Sequence, residues 1–184
     1  AEHGAGSVAV IDAKTHVVTS RIMVGKWPTA VALAEKSQRL YVGNQDRHSV
    51  SVVDLLQNPP QVIKEIPVSR EPSCLSVAPN ERSIVVTNLL ASGRGTDSRL
   101  SSELSIIDAD TLELTGEVKL PPGSSMVPGA CISPDGRWAY VVHGLGRFNL
   151  PITQLERGWV NTFALSIIDI ANASRLATVL LDDL

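Results

Sequence analysis

The protein has 184 residues, of which 43% are hydrophobic and 19% charged, a composition typical of a globular domain,. Its formal net charge of −3 argues against a nucleic-acid surface, because binding to phosphates requires clustered Lys and Arg,. No apolar run approaches the ~20 residues that a membrane-spanning helix needs. We therefore expect neither a nucleic-acid partner nor a membrane span.

The chain ends and the cysteines leave the cellular compartment open. The chain begins without Met or a signal peptide and ends abruptly, so we expect an excised piece of a longer product,. Cys74 and Cys131 lie in apolar strands and form no Cys-x-x-Cys pair, so no metal or covalent haem site is encoded,. We expect both thiols to be buried, with a disulfide between neighbouring strands as the alternative.

In chain order, the first recurring element is an apolar strand that ends in Asp. It occurs at residues 8–12, 50–54, 104–108 and 165–169. An Asp carboxylate can accept a hydrogen bond from the backbone N–H two residues on, which favours a turn into a further strand. We interpret the four Asp residues as structural, since a residue present once per repeat usually serves the repeat. Their spacing, about 40 to 60 residues, is in the range of propeller blades.

A second recurring element is a strand, a turn and a strand. It occurs at residues 30–44, 74–88 and 129–143, and the last copy contains Ser-Pro-Asp-Gly at its turn. Each full unit therefore supplies four strands, a to d, and the chain reads c and d, then a to d three times. Some strands are apolar on both faces, as at 84–86, which is typical of blades stacked face to face,.

The sequence predicts an all-β fold, a β-propeller of four-stranded antiparallel blades. The chain supplies about three and a half blades of a ring of about seven. The predicted boundaries are an N-terminal extension (1–6), a half blade (7–26) and three blades (27–68, 69–120 and 121–184). An isolated piece would expose a blade face and strand edges, so we expect it to self-associate.

The ends of the b strands carry a family resemblance. They read Tyr-Val-Gly-Asn at 41–44, Val-Val-Thr-Asn at 85–88 and Tyr-Val-Val-His at 140–143. Together with the repeated Ile/Val-Asp, these runs resemble the YVTN family of β-propeller repeats, a relative of the WD40 and quinoprotein-like propellers. The resemblance implies a periplasmic or extracellular protein, and it implies little chemistry, because the family includes both adhesive and redox proteins.

The last third carries a second resemblance. Gly-Arg-Phe-Asn-Leu-Pro at 146–151 and Glu-Arg-Gly-Trp-Val-Asn at 156–161 resemble propeller segments that precede a c-type cytochrome domain of the cytochrome c peroxidase kind. This resemblance implies a c-type haem in a downstream domain of the same chain. Within these residues we expect no cofactor, and the partners would be the remaining blades and that cytochrome domain.

Insertions indicate the working surface. The b–c connections lengthen along the chain, and the extra residues fall at 89–103 and 144–164. In a four-stranded meander the b–c and d–a connections emerge on one face, and long loops on a rigid scaffold are where binding residues usually lie. We expect this face to bind a ligand or partner.

The insertions contain Arg and aromatic residues but no Lys. The candidate binding residues are Arg94, Arg99, Arg147, Arg157 and Trp159. Because the Arg fork suits bidentate capture of carboxylates, we expect an anionic partner, such as haem propionates or an acidic protein edge. The alternative is that these arginines pair with acidic residues of the same loops and order them.

His143 replaces the Asn that ends strand b elsewhere, and is the sixth candidate. Its imidazole would suit a bound ligand, a haem iron or a proton shuttle, or it could simply cap the strand by hydrogen bonding. No acidic or His cluster accompanies it, and no nucleophile–base order can be argued, so we expect no metal and no catalytic residue here. Two functions remain: a non-catalytic binding scaffold, or the propeller portion of a haem-dependent periplasmic redox enzyme.

Overall fold

The computed structural model of the protein describes residues 1–146 and 161–181, which contain fourteen β-strands. They are β1 (Ser7–Ile11), β2 (Val18–Met23), β3 (Pro28–Ala34), β4 (Arg39–Asn44), β5 (Ser49–Asp54), β6 (Gln61–Pro67), β7 (Pro72–Val77), β8 (Ser83–Asn88), β9 (Glu103–Asp108), β10 (Glu113–Lys119), β11 (Ser124–Ile132), β12 (Trp138–Gly146), β13 (Asn161–Asp169) and β14 (Ser174–Leu180).

The strands form one two-stranded and three four-stranded sheets. The half blade is β1–β2, and the first, second and third blades are β3–β6, β7–β10 and β11–β14, each an antiparallel meander in chain order. The predicted all-β propeller fold of three and a half blades is confirmed. The number of blades in the complete ring, seven, stays a prediction.

The repeated Asp residues begin the turns between the third and fourth strands. Asp12 Oδ1 accepts hydrogen bonds from the N–H groups of Lys14 (2.9 Å) and Thr15 (2.7 Å). Asp108 does the same after β9, with the N–H groups of Asp110 (3.0 Å) and Thr111 (2.7 Å). These carboxylates accept hydrogen bonds from N–H groups that the turn leaves without a backbone partner. The interpretation of the repeated Asp residues as structural is therefore confirmed.

The core lies between blades, in separate apolar clusters. One cluster joins Tyr41 and Val52 of the first blade to Ile84 of the second. The next joins Val85 of the second blade to Val141 of the third, and a smaller one joins the half blade to the first blade. Adjacent residues of β8 thus point into different clusters, which is why that strand is apolar on both faces.

Hydroxyl groups connect the innermost strands of neighbouring blades. Thr29 Oγ1 donates to the carbonyl of Pro72 (2.8 Å), and Ser73 Oγ, one blade on, donates to the carbonyl of Val127 (3.0 Å). These bonds join β3 to β7 and β7 to β11 at the end where strand a begins. They fix where each d–a connection enters the next blade.

The outer face of the third blade is not covered by any other sheet in the described residues. Cys131 lies on this face opposite Tyr140 and is exposed, and Val179 is 52% exposed. The expected burial of Cys131 is therefore wrong, because its side of β11 has no blade against it. Cys74 is partly buried, and its Sγ would lie 3.7 Å from a Cβ placed at Gly129 of the third blade. Both thiols are free.

Candidate functional site

The b–c and d–a connections meet on one face of the described blades, which we call the loop face. Gln45 N–H donates to the carbonyl of Trp27 (2.9 Å), and Leu89 N–H donates to the carbonyl of Glu71 (2.8 Å). Each bond joins a b–c connection to the d–a connection that precedes its blade. The backbone of this face is thus held by the scaffold, as a binding surface requires.

The two insertions are shorter than predicted. The first occupies 89–102, because Glu103 already belongs to β9 and is only 4% exposed. For the second, predicted at 144–164, the flanking strands extend inward and pair Gly146 with Asn161. Residues 147–160 lie outside the described residues.

The first insertion folds around Asp97. Its N–H donates to the carbonyl of Arg94 (2.9 Å), and its Oδ1 accepts from Arg99 N–H (2.9 Å). The carbonyl of Leu100 then accepts a hydrogen bond (2.9 Å) from the N–H of Gly123, which lies on the connection into the third blade. The insertion therefore spans the junction between the second and third blades.

A cavity of about 630 Å³ lies beneath this insertion. Its apolar lining includes Leu89, Leu90 and Leu100, and its polar lining includes Arg70, Asp97 and Ser124. The volume lies within the roughly 300–1,000 Å³ of small-molecule sites, which also combine an apolar wall with a few polar groups. This cavity is the candidate binding site of the described chain.

One hydroxyl in the cavity is buried without a partner. Ser124 is 3% exposed and its Oγ makes no hydrogen bond within the described residues, although its backbone is bonded to Pro121 (3.0 Å) and Ser102 (2.9 Å). Ser101 is also buried (2% exposed), and its Oγ likewise has no hydrogen-bond partner. Leaving a hydroxyl buried and unpaired costs about 1–3 kcal/mol. Because the Oγ is buried, this cost falls on the folded protein itself and not on a group that faces the cavity.

The charged groups of the cavity form no ion pair with each other. Arg70 and Asp97 are both exposed, and the ion pairs found within residues 1–146 and 161–181 join other side chains. Both charges are thus available to a bound molecule.

The predicted arginines lie beside the cavity or outside the described chain. Arg94 and Arg99 are exposed on the first insertion, on either side of Asp97, but do not line the cavity. Their expected role in binding an anion stays a prediction. Arg147, Arg157 and Trp159 fall in the segment that the structure does not describe, so their expected role in binding also stays a prediction.

His143 lies in the interior of the third blade. The ring is fully buried, with Nδ1 3.2 Å from the carbonyl of Gly144 and Nε2 2.9 Å from Ser166 Oγ, which is 2.8 Å from Thr178 Oγ1. Since a carbonyl only accepts, Nδ1 carries the proton and Nε2 accepts from Ser166. Burial lowers the pKa of His143, the nearby Arg175 lowers it further, and the bond to Gly144 opposes both.

The same two positions are bonded in the other blades, where the side chain that ends strand b is the donor. Asn44 Nδ2 donates to Ser51 Oγ (2.7 Å), and Asn88 Nδ2 donates to Ser105 Oγ (3.1 Å). His143 thus occupies the Asn position and bonds the equivalent Ser of its blade. Sequence reasoning missed this pair, although Ser stands three residues before the repeated Asp in all three blades.

Metal-binding clusters and membrane-spanning helices are both absent from the part of the chain that the structure describes. No group of three or more His, Cys, Asp or Glu in residues 1–146 and 161–181 is placed to hold a metal ion. Within the same ranges, no helix has the length and apolarity to cross a membrane.

Solved structures similar to this chain contain propellers. Hydrazine synthase of Kuenenia stuttgartiensis is 24% identical with a TM-score of 0.55, over 97% of this chain and 61% of that one. A functionally unknown protein of Desulfotomaculum acetoxidans is 11% identical (TM-score 0.66, 97% and 52%). The dihydro-heme d1 dehydrogenase NirN is 17% identical (TM-score 0.65, 97% and 34%).

The likeness is one of fold. The chain spans less than two thirds of each of these structures, and the identities are all below 25%. No protein-family model and no curated protein matches it, so membership of the YVTN family stays a prediction. What these comparisons establish is that the chain has a β-propeller fold.

Proposed function

We propose that the protein is a non-catalytic binding module, and that its loop face takes a ligand or partner at the junction of the second and third blades. The observation that carries this proposal is the cavity of about 630 Å³, whose lining joins an aliphatic wall to the unpaired charges of Arg70 and Asp97. Its described lining residues include no His, no Cys and only one carboxylate, so the cavity offers binding groups and no acid–base pair,.

The predicted anionic partner fits the surroundings of the cavity. Three guanidinium groups, those of Arg70, Arg94 and Arg99, stand on the connections around it, against the two carboxylates of Glu71 and Asp97 on the same connections. A carboxylate or an acidic protein edge would be attracted to this part of the face. We place the protein in the periplasm or outside the cell, on the family resemblance of its repeats.

A second function is favoured by the names of two structural neighbours. Hydrazine synthase and a dihydro-heme d1 dehydrogenase are enzymes whose chains extend well beyond the part matched here. In this alternative the chain is the propeller portion of a haem-dependent redox enzyme, and the chemistry belongs to a c-type cytochrome domain elsewhere in the protein. The remaining blades and that domain would be its partners.

The binding function can be tested with a small-molecule library. Native mass spectrometry of the purified protein identifies bound compounds, and hydrogen exchange then maps the amides that they protect. Protection should fall at 89–102 and 123–125, whereas a variant with the first insertion cut to the length of the 45–48 connection should bind nothing. Equal binding by both proteins would refute the proposal.

The alternative has its own measurement. The visible absorption spectrum of the full-length protein, expressed in a host that attaches haem, should show the bands of c-type haem if the redox function holds. A colourless folded protein would eliminate it and leave the binding module.

A further inference from the structure

Two opposite charges share the cavity without pairing. Arg70 lies on the connection between β6 and β7, and Asp97 lies on the first insertion. The two side chains line the same cavity and form no ion pair with each other or with another described side chain. A ligand that carries both charges would satisfy both residues at once.

Each group retains the geometry to bind. The Arg70 guanidinium has no side-chain partner in the described chain, and its planar fork matches a carboxylate,. Asp97 Oδ1 holds the N–H of Arg99, which fixes the carboxylate and leaves Oδ2 for an ammonium,.

The rest of the wall is aliphatic. Leu89, Leu90 and Leu100 contribute side chains of one kind to the same cavity. Burying an aliphatic group of similar size against them is favourable, because it removes apolar surface from water on both sides. An aromatic or polar side chain would find no stacking or hydrogen-bonding group among these leucines.

We infer that the cavity binds a small zwitterion with an aliphatic side chain, either a free amino acid such as leucine or a dipeptide built from such residues. Arg70 holds the carboxylate, Asp97 holds the ammonium and the leucines hold the side chain. The volume admits both sources of this chemistry. The inference rests on the proposed binding function and specifies its ligand.

Calorimetric titration with four probes tests the inference on the purified protein. The probes are leucine, Leu-Leu, 4-methylpentanoate, which lacks the ammonium, and 3-methylbutylamine, which lacks the carboxylate. We expect one of the two zwitterions to bind and both single-charge analogues to bind about tenfold more weakly or worse, because each loses a charge-assisted bond. Which zwitterion binds decides between an amino acid and a dipeptide.

Matched variants assign the contacts. Arg70→Gln should weaken the zwitterion at least about tenfold, whereas Arg82→Gln, an exposed Arg on the opposite face, should leave it unchanged,. Asp97→Asn keeps the Oδ1 acceptor for Arg99 N–H and removes only the charge, so the loop should persist while affinity falls; Asp110→Asn is its control. Circular dichroism of each variant checks that the fold is retained.

Four results would overturn the inference. Equal affinity for leucine and 4-methylpentanoate would remove the role of Asp97, and unchanged affinity in Arg70→Gln would remove the carboxylate site. Binding of library compounds at 89–102 without binding of any zwitterion would refute this inference and leave the proposed function standing. If neither library nor zwitterion binds, both fail.

Discussion

Replacing His143 by Asn should change how the stability of the protein depends on pH. The imidazole is fully buried, and burial holds its pKa below the ordinary value of 6.5. As the pH falls below about 6.5, the unfolded chain takes up a proton that the folded chain refuses. The folded state therefore loses stability between 6.5 and its own lower pKa.

The size of the effect follows from one proton. Over that window the free energy of unfolding should fall with a slope approaching about 1.4 kcal/mol per pH unit. His143→Asn restores the residue found at Asn44 and Asn88, so its amide can still bond Ser166 while it binds no proton. The variant should lack this part of the acid sensitivity, although at neutral pH the smaller side chain should cost about 1 kcal/mol.

The assay is equilibrium unfolding in urea at a series of pH values from about 7.5 to about 5. The difference in the free energy of unfolding between wild type and His143→Asn should shrink as the pH falls. A parallel variant, His16→Asn, removes an exposed imidazole from a turn and controls for surface effects. A difference independent of pH would refute the conclusion that the ring of His143 is buried and neutral.

Three further changes test the packing. Ser124→Ala removes the unpaired hydroxyl and should raise the free energy of unfolding by about 1 kcal/mol in denaturant titrations; a loss would mean that the hydroxyl has a partner,. Gly25→Ala would place a Cβ 2.5 Å from Asn44 Cγ in the buried interior, so we expect a loss of about 1–3 kcal/mol, and a neutral result would contradict this packing,. Glu81 accepts the N–H of Lys36 across a blade junction (2.8 Å), and this bond lowers its pKa, so its contribution is lost as the pH falls through that pKa. Glu81→Gln should lower the melting temperature above pH ~4.5, and this effect should fade as the pH falls further through the lowered pKa; an equal effect at all pH values would exclude a charge effect,.

The fold was predictable because its signals are local and repeated. A strand that ends in Asp and a turn that follows it are encoded within a few residues, and Asp12 and Asp108 make the same turn bonds. The repetition of this unit then predicted a blade architecture, because copies of one unit at this spacing can bury both faces of each sheet only by stacking. The position of the loop face followed from the meander alone.

The candidate site was less predictable because it is assembled across blades. Arg70 and Asp97 belong to two different connections and Ser124 begins β11, and only the stacking of the blades brings them to one cavity. The ends of the second insertion were misjudged for a related reason. Glycines at 144 and 146 resemble a loop locally, but pairing with the strand that begins at Asn161 extends β12 through them,.

The cavity is shared by two blades, and this sharing has a thermodynamic consequence. Leu89 and Asp97 belong to the second blade, whereas Ser124 begins the third, so a molecule that touches all of them is bound fully only while the two blades remain docked. By linkage, occupancy and docking must then favour each other by the same free energy. The resistance of the third blade to detachment, followed by hydrogen exchange along β11, would thus rise with ligand concentration and report on the occupancy of the site.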